Sequence, residues 1–405
     1  YPMYGTYAHN DVVDGDFADY HNLGPVNIYR TIRTGSMEAD FTYLGEDSEP
    51  YRQVYFKETN AAEDDWRDLI QLCQLLTETP DETFAASVEE SLDVDNWLRF
   101  FAINTFFDNR ETGLSNGIGD DFIHFKDLTG NRHVLVPYDL DTILGRGDTP
   151  GSPTAGLFQA GEPANASGHM TQPDQVARLL KHPAFVPHYF AELQRQAKTV
   201  FSGDQFPAFV EQVMGGRADE SEIERLNRFV AARREFILSE IPHALTLSTD
   251  LPLKQGHRIS ETALVALEGR ANAMATRSVT INGIPANWSA WEASWKADVF
   301  ELQPGLNHLS VRAFDASHAE LDRLEFTVWH ETGAQQPLNA DIMIDTVLSA
   351  AGGPWFFPGK TVVQKQAALS IEAGAMVYFG EDAQLEVRGR LTISGEPDRR
   401  ATLTT

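Results

Sequence analysis

Three aspartates stand out by type and spacing: Asp108, Asp139 and Asp141. Asp139 and Asp141 sit one residue apart in Pro137-Tyr138-Asp139-Leu140-Asp141, at the end of a run of strand-forming residues. Side chains alternate along an extended backbone, so both carboxylates are expected on the same side. Carboxylate oxygens are the donors that hard divalent cations prefer. Asp108 opens a polar loop after an apolar stretch, where a carboxylate can accept or orient the proton of a hydroxyl. A cation site beside a proton acceptor suits phosphoryl transfer, which needs positioning and charge compensation more than covalent chemistry. A lone Asp-X-Asp at a strand end also serves as a turn cap, so the surrounding elements decide between the two.

Those elements are legible between Asp95 and Gly145. Trp97, Leu98, Phe101, Ala102 and Phe106 recur at helical spacing, with Asp93 available as N-cap. Phe122 to Phe125 and His133 to Val136 read as two short strands around the turn Asp127-Leu128-Thr129-Gly130. One carboxylate therefore arrives at the end of a helix and two at the end of a hairpin. Between them, Gly113, Asn116, Gly117 and Gly119 form either a phosphate cradle of backbone amides or a plain loop.

The order and spacing of these pieces resemble the C-terminal lobe of the CotH family, the spore-coat-protein-H-like secreted kinases with an atypical protein-kinase fold. The matching pieces are Gly5-Thr6-Tyr7, Phe17, Asn27-Ile28-Tyr29-Arg30, the helix Asn96 to Phe107, Asp108, Asp121-Phe122, Pro137 to Asp141, Gly145 and the helix Val176 to Leu180. The resemblance implies a kinase-like domain over residues 1–241 that transfers the γ-phosphate of ATP to a serine or threonine of a surface or matrix protein. It makes Asp108 the catalytic residue, and it puts Asp139 and Asp141 on Mg²⁺ or Mn²⁺ held jointly with the nucleotide. Kinases carry an asparagine five residues after the catalytic aspartate, where this chain has Gly113. That leaves Asn116 and Asp121 as cofactor-binding candidates, with Asp121 at the position of the family's strand-start asparagine. A glycine-rich cover and a lysine over the phosphates are expected upstream of Tyr1. Lys57, in Val54-Tyr55-Phe56-Lys57, follows the wrong segment to be that lysine and reads as a solvated surface residue. The resemblance also implies a place outside the cytoplasm, extracellular or on a bacterial cell surface. The rival reading is a non-catalytic scaffold or adhesion protein whose kinase-like lobe is only a structural module.

Composition sets outer bounds. The chain has 405 residues, 42% of them hydrophobic and 10% aromatic, enough for two or three cored domains. A net charge of -27 argues against nucleic acid and against an anionic membrane surface as partner. No stretch approaches the ~20 apolar residues of a membrane span. Cys73 is the only cysteine, so no intramolecular disulfide forms, and its helical spacing with Leu69, Ile70 and Leu76 places it in a core. The chain opens on Tyr1 in strand-like sequence and stops at Thr405 in mid-pattern, as a fragment cut at both ends would.

Residues 1 to 60 alternate as short strands do, and residues 61 to 92 read as two helices, the first with Glu63, Asp64 and Asp65 in its opening turn. Arg146 to Asp174 is a long Gly/Pro/Ser/Thr loop in the position of a kinase activation segment. Helices are expected over Gln175 to Leu180, Val186 to Val200, Phe206 to Met214 and Asp219 to Ile241, with His182 and His188 as surface or capping residues. After a linker, residues 256–332 carry short strands around turns, including Asn282-Gly283, in the pattern of an immunoglobulin-like or fibronectin-like β-sandwich. Trp288, Trp291 and Trp295 there serve either as a carbohydrate stack or as core anchors. Residues 341–405 repeat short strands with glycine corners, read as the first rungs of a right-handed parallel β-helix. The fold expected is thus multidomain: an α+β kinase-like lobe, then a β-sandwich, then a solenoid start. The β-modules would contact other cell-surface proteins.

Overall fold

The computed structural model describes residues 11–32, 39–112, 114, 120–147, 150–158, 174–254, 257–331, 335–396 and 399–404. The chain divides into two compact units, Tyr1–Ile241 and Pro242–Thr405. The first mixes helices with one sheet and the second is built from β-strands, so the protein is multidomain α+β.

In the first unit, β1 (Val26–Thr31), β2 (Tyr55–Lys57), β3 (Phe122–Asp127) and β4 (His133–Pro137) form an antiparallel sheet in the order β2-β1-β3-β4. β3 is covered on both faces. Ile123 and Phe125 pack with Ala18, Val26 and Ile28. On the other face His124 stacks on Tyr29, its partner across the ladder, with ring centroids 5.6 Å apart.

Helix α4 (Val94–Phe107) lies against the edge strand β4. Asp93 caps it by accepting from the Asn96 N–H at 3.0 Å, and Trp97, Leu98, Phe101 and Phe106 are buried. An edge strand leaves backbone groups unpaired, and here side chains of α4 satisfy them. The Asn96 amide accepts from the Leu135 N–H at 2.7 Å and donates to the Leu135 carbonyl at 3.1 Å. The Trp97 indole N–H donates to the His133 carbonyl at 2.9 Å. These bonds fix the helix along the hairpin, so the end of α4 and the two ends of the hairpin strands meet in one place. Helices α2 (Arg67–Glu78) and α3 (Asp81–Ser91) precede α4. After it come α5 (Asp174–Lys181), α6 (Val186–Lys198), α7 (Gln205–Met214) and α8 (Glu220–Glu240). Cys73 is fully buried on α2.

Three local expectations change. Residues Gly15–Tyr20 form a short helix, α1, because the Asp14 carboxylate accepts from the N–H groups of Asp16 and Phe17. The acids Glu63, Asp64 and Asp65 precede α2 instead of opening it, since Asp64 takes a left-handed conformation that interrupts the helix. Lys57 is buried, not solvated: strand alternation turns it inward with Tyr55, its ammonium donates to the Asp65 carbonyl, and it lies 5.3 Å from the Tyr29 ring centroid. Trp295, by contrast, is fully buried with its indole N–H on the Thr246 carbonyl, which agrees with the core-anchor reading and not with an exposed stack of three tryptophans. His182 caps locally through its Nδ1, which accepts from the Ala184 N–H.

In the second unit, β5 (Leu253–Lys254), β6 (His257–Ser260), β7 (Leu264–Arg270), β8 (Ser278–Ile281), β9 (Ile284–Ser289), β10 (Ser294–Glu301), β11 (Gly305–Phe314) and β12 (Glu320–His330) form one hydrogen-bonded sheet in the order β5-β6-β12-β11-β8-β9-β10-β7. β8 (Ser278–Ile281) and β9 (Ile284–Ser289) turn through Asn282 and Gly283, both at positive φ. The core gathers Leu267, Val279, Ile281, Trp295, Leu309, Val311 and Val328. β13 (Gln336–Pro337), β14 (Thr346–Leu348), β15 (Trp355–Phe357), β16 (Lys360–Val363), β17 (Ala368–Ile371), β18 (Met376–Phe379), β19 (Gln384–Val387), β20 (Arg390–Ile393) and β21 (Thr402–Thr404) then pair in parallel, as β13-β15-β18-β21, β14-β17-β20 and β16-β19. Leu348, Phe357, Val363, Leu369, Ile371 and Val377 fill the space between these three sheets.

The clamp on β4 generates a testable expectation. Asn96→Ala leaves both backbone groups of Leu135 without partners and lowers the stability of the first unit by about 1–3 kcal/mol. Denaturant unfolding followed by tryptophan fluorescence checks it, and an unchanged midpoint refutes the clamp.

Candidate functional site

Asp108 ends α4 in the left-handed region, at φ 46°, with its N–H on the carbonyls of Asn104 and Thr105. Aspartate tolerates that conformation better than most residues. The chain after it turns sharply: Asn109, fully buried, donates to the Asn104 side chain at 3.2 Å and accepts from the Glu111 N–H at 2.9 Å. The Asp121 N–H then bonds the Glu111 carbonyl at 3.1 Å, and the Tyr138 N–H bonds the Asp121 carbonyl at 3.2 Å. The loop after α4, the start of β3 and the end of β4 are thus stitched side by side through their backbones. The turn after Asp141 joins them, because the Leu144 N–H reaches the Phe107 carbonyl at 2.8 Å and Arg225 of α8 holds the Leu144 carbonyl at 2.7 Å.

This stitching brings Glu111, Asp121 and Asp141 together. One carboxylate oxygen of each lies within 4.8 Å of the others. Asp121 is 3% exposed and its Oδ2 has no hydrogen-bond partner, while Glu111 is half-buried and Asp141 is exposed. Burial above all, then the charges of Glu111, Asp139 and Asp120, push the Asp121 carboxyl up to about 8. A pocket of oxygen donors with an orphaned carboxylate oxygen fits a hard divalent cation.

The expected geometry of Asp139 and Asp141 is corrected. β4 ends at Pro137 and Asp139 sits at φ 48°, so the segment is a turn and strand alternation does not govern it. Asp141 joins the three-carboxylate group. Asp139 stays outside that group yet is near enough for its charge to act on Asp121. Left-handed non-glycine residues concentrate at functional sites, and both Asp108 and Asp139 are of that kind.

Asp108 is fully buried, not at an open loop mouth. Its Oδ2 accepts from the Ser152 N–H at 2.6 Å and from Arg110 Nε at 3.2 Å. Gly151 lies flat on it: a Cβ there would stand 2.3 Å from Oδ2 and 2.7 Å from the Asp108 carbonyl oxygen, so only glycine fits. Arg233 of α8, buried, pins the same segment by donating to the carbonyls of Pro153 and Ala155, and it also holds the Thr105 carbonyl at 2.8 Å. Burial lowers the pKa of Arg233, and the charge on Asp108 opposes that shift. Asn116, Gly113, Gly117 and Gly119, with Gly5-Thr6-Tyr7, lie outside the described residues, as does most of the Arg146 to Asp174 loop.

Glu111 is the site residue that sequence reasoning missed. Its only signal was position, an acid three residues after Asp108 in a loop without periodicity.

The raised Asp121 carboxyl sets a pH dependence. A folded-state value of about 8, above the ordinary 3.8, favours the protonated form. The corresponding stability is complete below the ordinary value and is lost as pH rises through about 8. With chelator present, Asp121→Asn is expected to exceed wild type by about 1–3 kcal/mol at alkaline pH, the usual cost of an unpaired buried polar group. The gap should close as pH falls toward 4. Thermal unfolding across pH reads this, and a constant gap contradicts it.

No curated protein matches the chain significantly. Among solved structures, the surface layer protein SbsC, domains 1-6, aligns over 42% of this chain and 28% of its own, at 11% identity and a TM-score of 0.17, a likeness too weak to bear on the fold. The family described as CotH kinase protein matches residues 2–234, more than half of the chain, including every site residue described above. The chain belongs to the CotH kinase family.

Proposed function

We propose that the first unit transfers the γ-phosphate of ATP to a serine or threonine hydroxyl of a surface or matrix protein, with Mg²⁺ or Mn²⁺. The observation that carries this reading is the convergence of Asp121 and Asp141, with Asp139 beside them, on the end of the helix that Asp108 terminates. Asp139, Asp141 and Asp121 would hold the cation, which when bound offsets charge on the transferred phosphoryl group. Asp121 stands where the family has an asparagine, so this chain brings one more negative charge to the metal. Asp108 would take the proton of the attacking hydroxyl. Asn116 remains a candidate for the cofactor site on sequence position alone.

For Asp108 to act, Gly151 and Ser152 must withdraw, because the Ser152 N–H holds its carboxylate. A withdrawn Ser152 N–H frees that oxygen for a substrate hydroxyl, while Arg110 holds the carboxylate in place. The buried state of Asp108 is also what favours the second reading, a non-catalytic surface scaffold. In either reading we take residues 256–332 as an immunoglobulin-like sandwich and 341–405 as the start of a right-handed parallel β-helix, modules suited to contact with other cell-surface proteins. They would sit outside a bacterial cell. Among the described residues no helix is long and apolar enough to cross a membrane.

Radiolabelled transfer from ATP to casein and to the protein itself separates the readings. The full-length gene product is used with Mn²⁺ or Mg²⁺. Asp108→Asn and Asp139→Asn, verified as folded, should each lower a metal-dependent signal by about 100-fold or more. Absence of incorporation by folded wild type with either metal would favour the scaffold. A signal that both variants retain would place the chemistry elsewhere.

A further inference from the structure

Glu111 belongs to no motif in this chain, yet the fold commits it to the site. Its amide hydrogen is held by Asn109 Oδ1 and its carbonyl by the Asp121 N–H, so the residue is fixed on both sides of its Cα. From there its carboxylate reaches within 4.8 Å of oxygens of Asp121 and Asp141. Three carboxyl groups do not gather for their own stability. The Asp121 Oδ2 meets no donor, although it is buried and polar atoms in that position are almost always paired. A positive ion supplies the missing partner.

The all-oxygen donor set fixes the ion's class as a hard divalent cation. Oxygens on opposite sides of one ion lie about 4.2 Å apart for a small cation and about 4.8 Å apart for a calcium-sized one, from bond lengths of roughly 2.1 to 2.4 Å. Oxygens within 4.8 Å of one another are close enough to share one such cation. The exposed Asp141 leaves the solvent side open for water and for a nucleotide phosphate.

We propose that Glu111, Asp121 and Asp141 form a preformed site that binds one hard divalent cation, of the Mn²⁺ or Ca²⁺ kind, before any nucleotide arrives. The inference builds on the kinase reading of the same pocket and adds to it a ligand, Glu111, and an order of binding. The protein itself provides the anionic charge that a nucleotide supplies when metal and nucleotide enter together.

The test is titration of the nucleotide-free chain with Mn²⁺, read from loss of the free-ion electron paramagnetic resonance signal, with Ca²⁺ as competitor. Wild type should show one saturable site that Ca²⁺ displaces. Glu111→Gln should weaken it by about tenfold or more, since affinity follows the number of charged ligands. Glu111→Asp, which keeps the charge and shortens the reach, should fall between the two. Glu82→Gln, an exposed change on α3, should shift it by no more than roughly twofold, as a distant screened charge does. Circular dichroism confirms that each variant is folded. Absence of saturable binding in wild type overturns the proposal. So does wild-type affinity in Glu111→Gln, or equal weakening by Glu82→Gln. The readout contains no ATP, so a failed kinase assay leaves a positive result standing. Failure here would leave the kinase reading with a nucleotide-delivered ion.

Discussion

The paired hydrogen bonds between the Asn96 side chain and the Leu135 backbone are the constraint from which the site follows. An edge strand and a helix otherwise slide past one another, because apolar contact is non-directional. An amide that satisfies both backbone groups of one residue permits a single register. The Trp97 indole on the His133 carbonyl repeats the constraint two residues down the strand. With α4 locked along β4, the residues that end the helix and the residues that end the hairpin are delivered to one point. Shifting the strand by one residue would exchange its faces and carry Asp121 away from Asp141.

The fold holds charge at that point against its own interest. Asp121 is buried among acids, and its carboxyl is displaced far from its ordinary value by burial first and by its neighbours second. Asp108 and Asp139 occupy left-handed backbone. Arg233 is buried with a guanidinium nitrogen that has no acceptor. Each of these costs stability, and sites that persist under such costs are candidates for function. The second unit shows no comparable concentration among its described carboxylates.

Much of this was legible in the sequence because it depends on periodicity. Trp97, Leu98, Phe101 and Phe106 announced α4 and Asp93 its cap, the alternation around Asp127-Leu128-Thr129-Gly130 announced the hairpin, and Asn282-Gly283 announced the turn between β8 and β9. What failed depends on single conformations or tertiary contacts. Strand alternation could not be carried past Pro137, because one left-handed residue, Asp139, ends it. Lys57 looked solvated by its charge, whereas its place two residues after Tyr55 turned it inward, toward a carbonyl and an aromatic ring that only the fold supplies. The cover of Gly151 and Ser152 over Asp108 joins residues more than forty positions apart, and no local pattern reports such a contact. Glu111 had no signal of its own. It acquires meaning only once Asp121 and Asp141 are beside it.

The central claim is that the carboxylates gathered at the end of α4 are where a cation and the phosphates of ATP meet. Its most direct test is a crystal structure of the protein with Mn²⁺ and a non-hydrolysable ATP analogue, with the metal located by anomalous scattering. The account predicts a manganese peak ligated by Asp121 and Asp141, with the terminal phosphate of the analogue on its solvent side and the Ser152 segment lifted from Asp108. A nucleotide bound elsewhere, or a manganese that no carboxylate of this group touches, would contradict it.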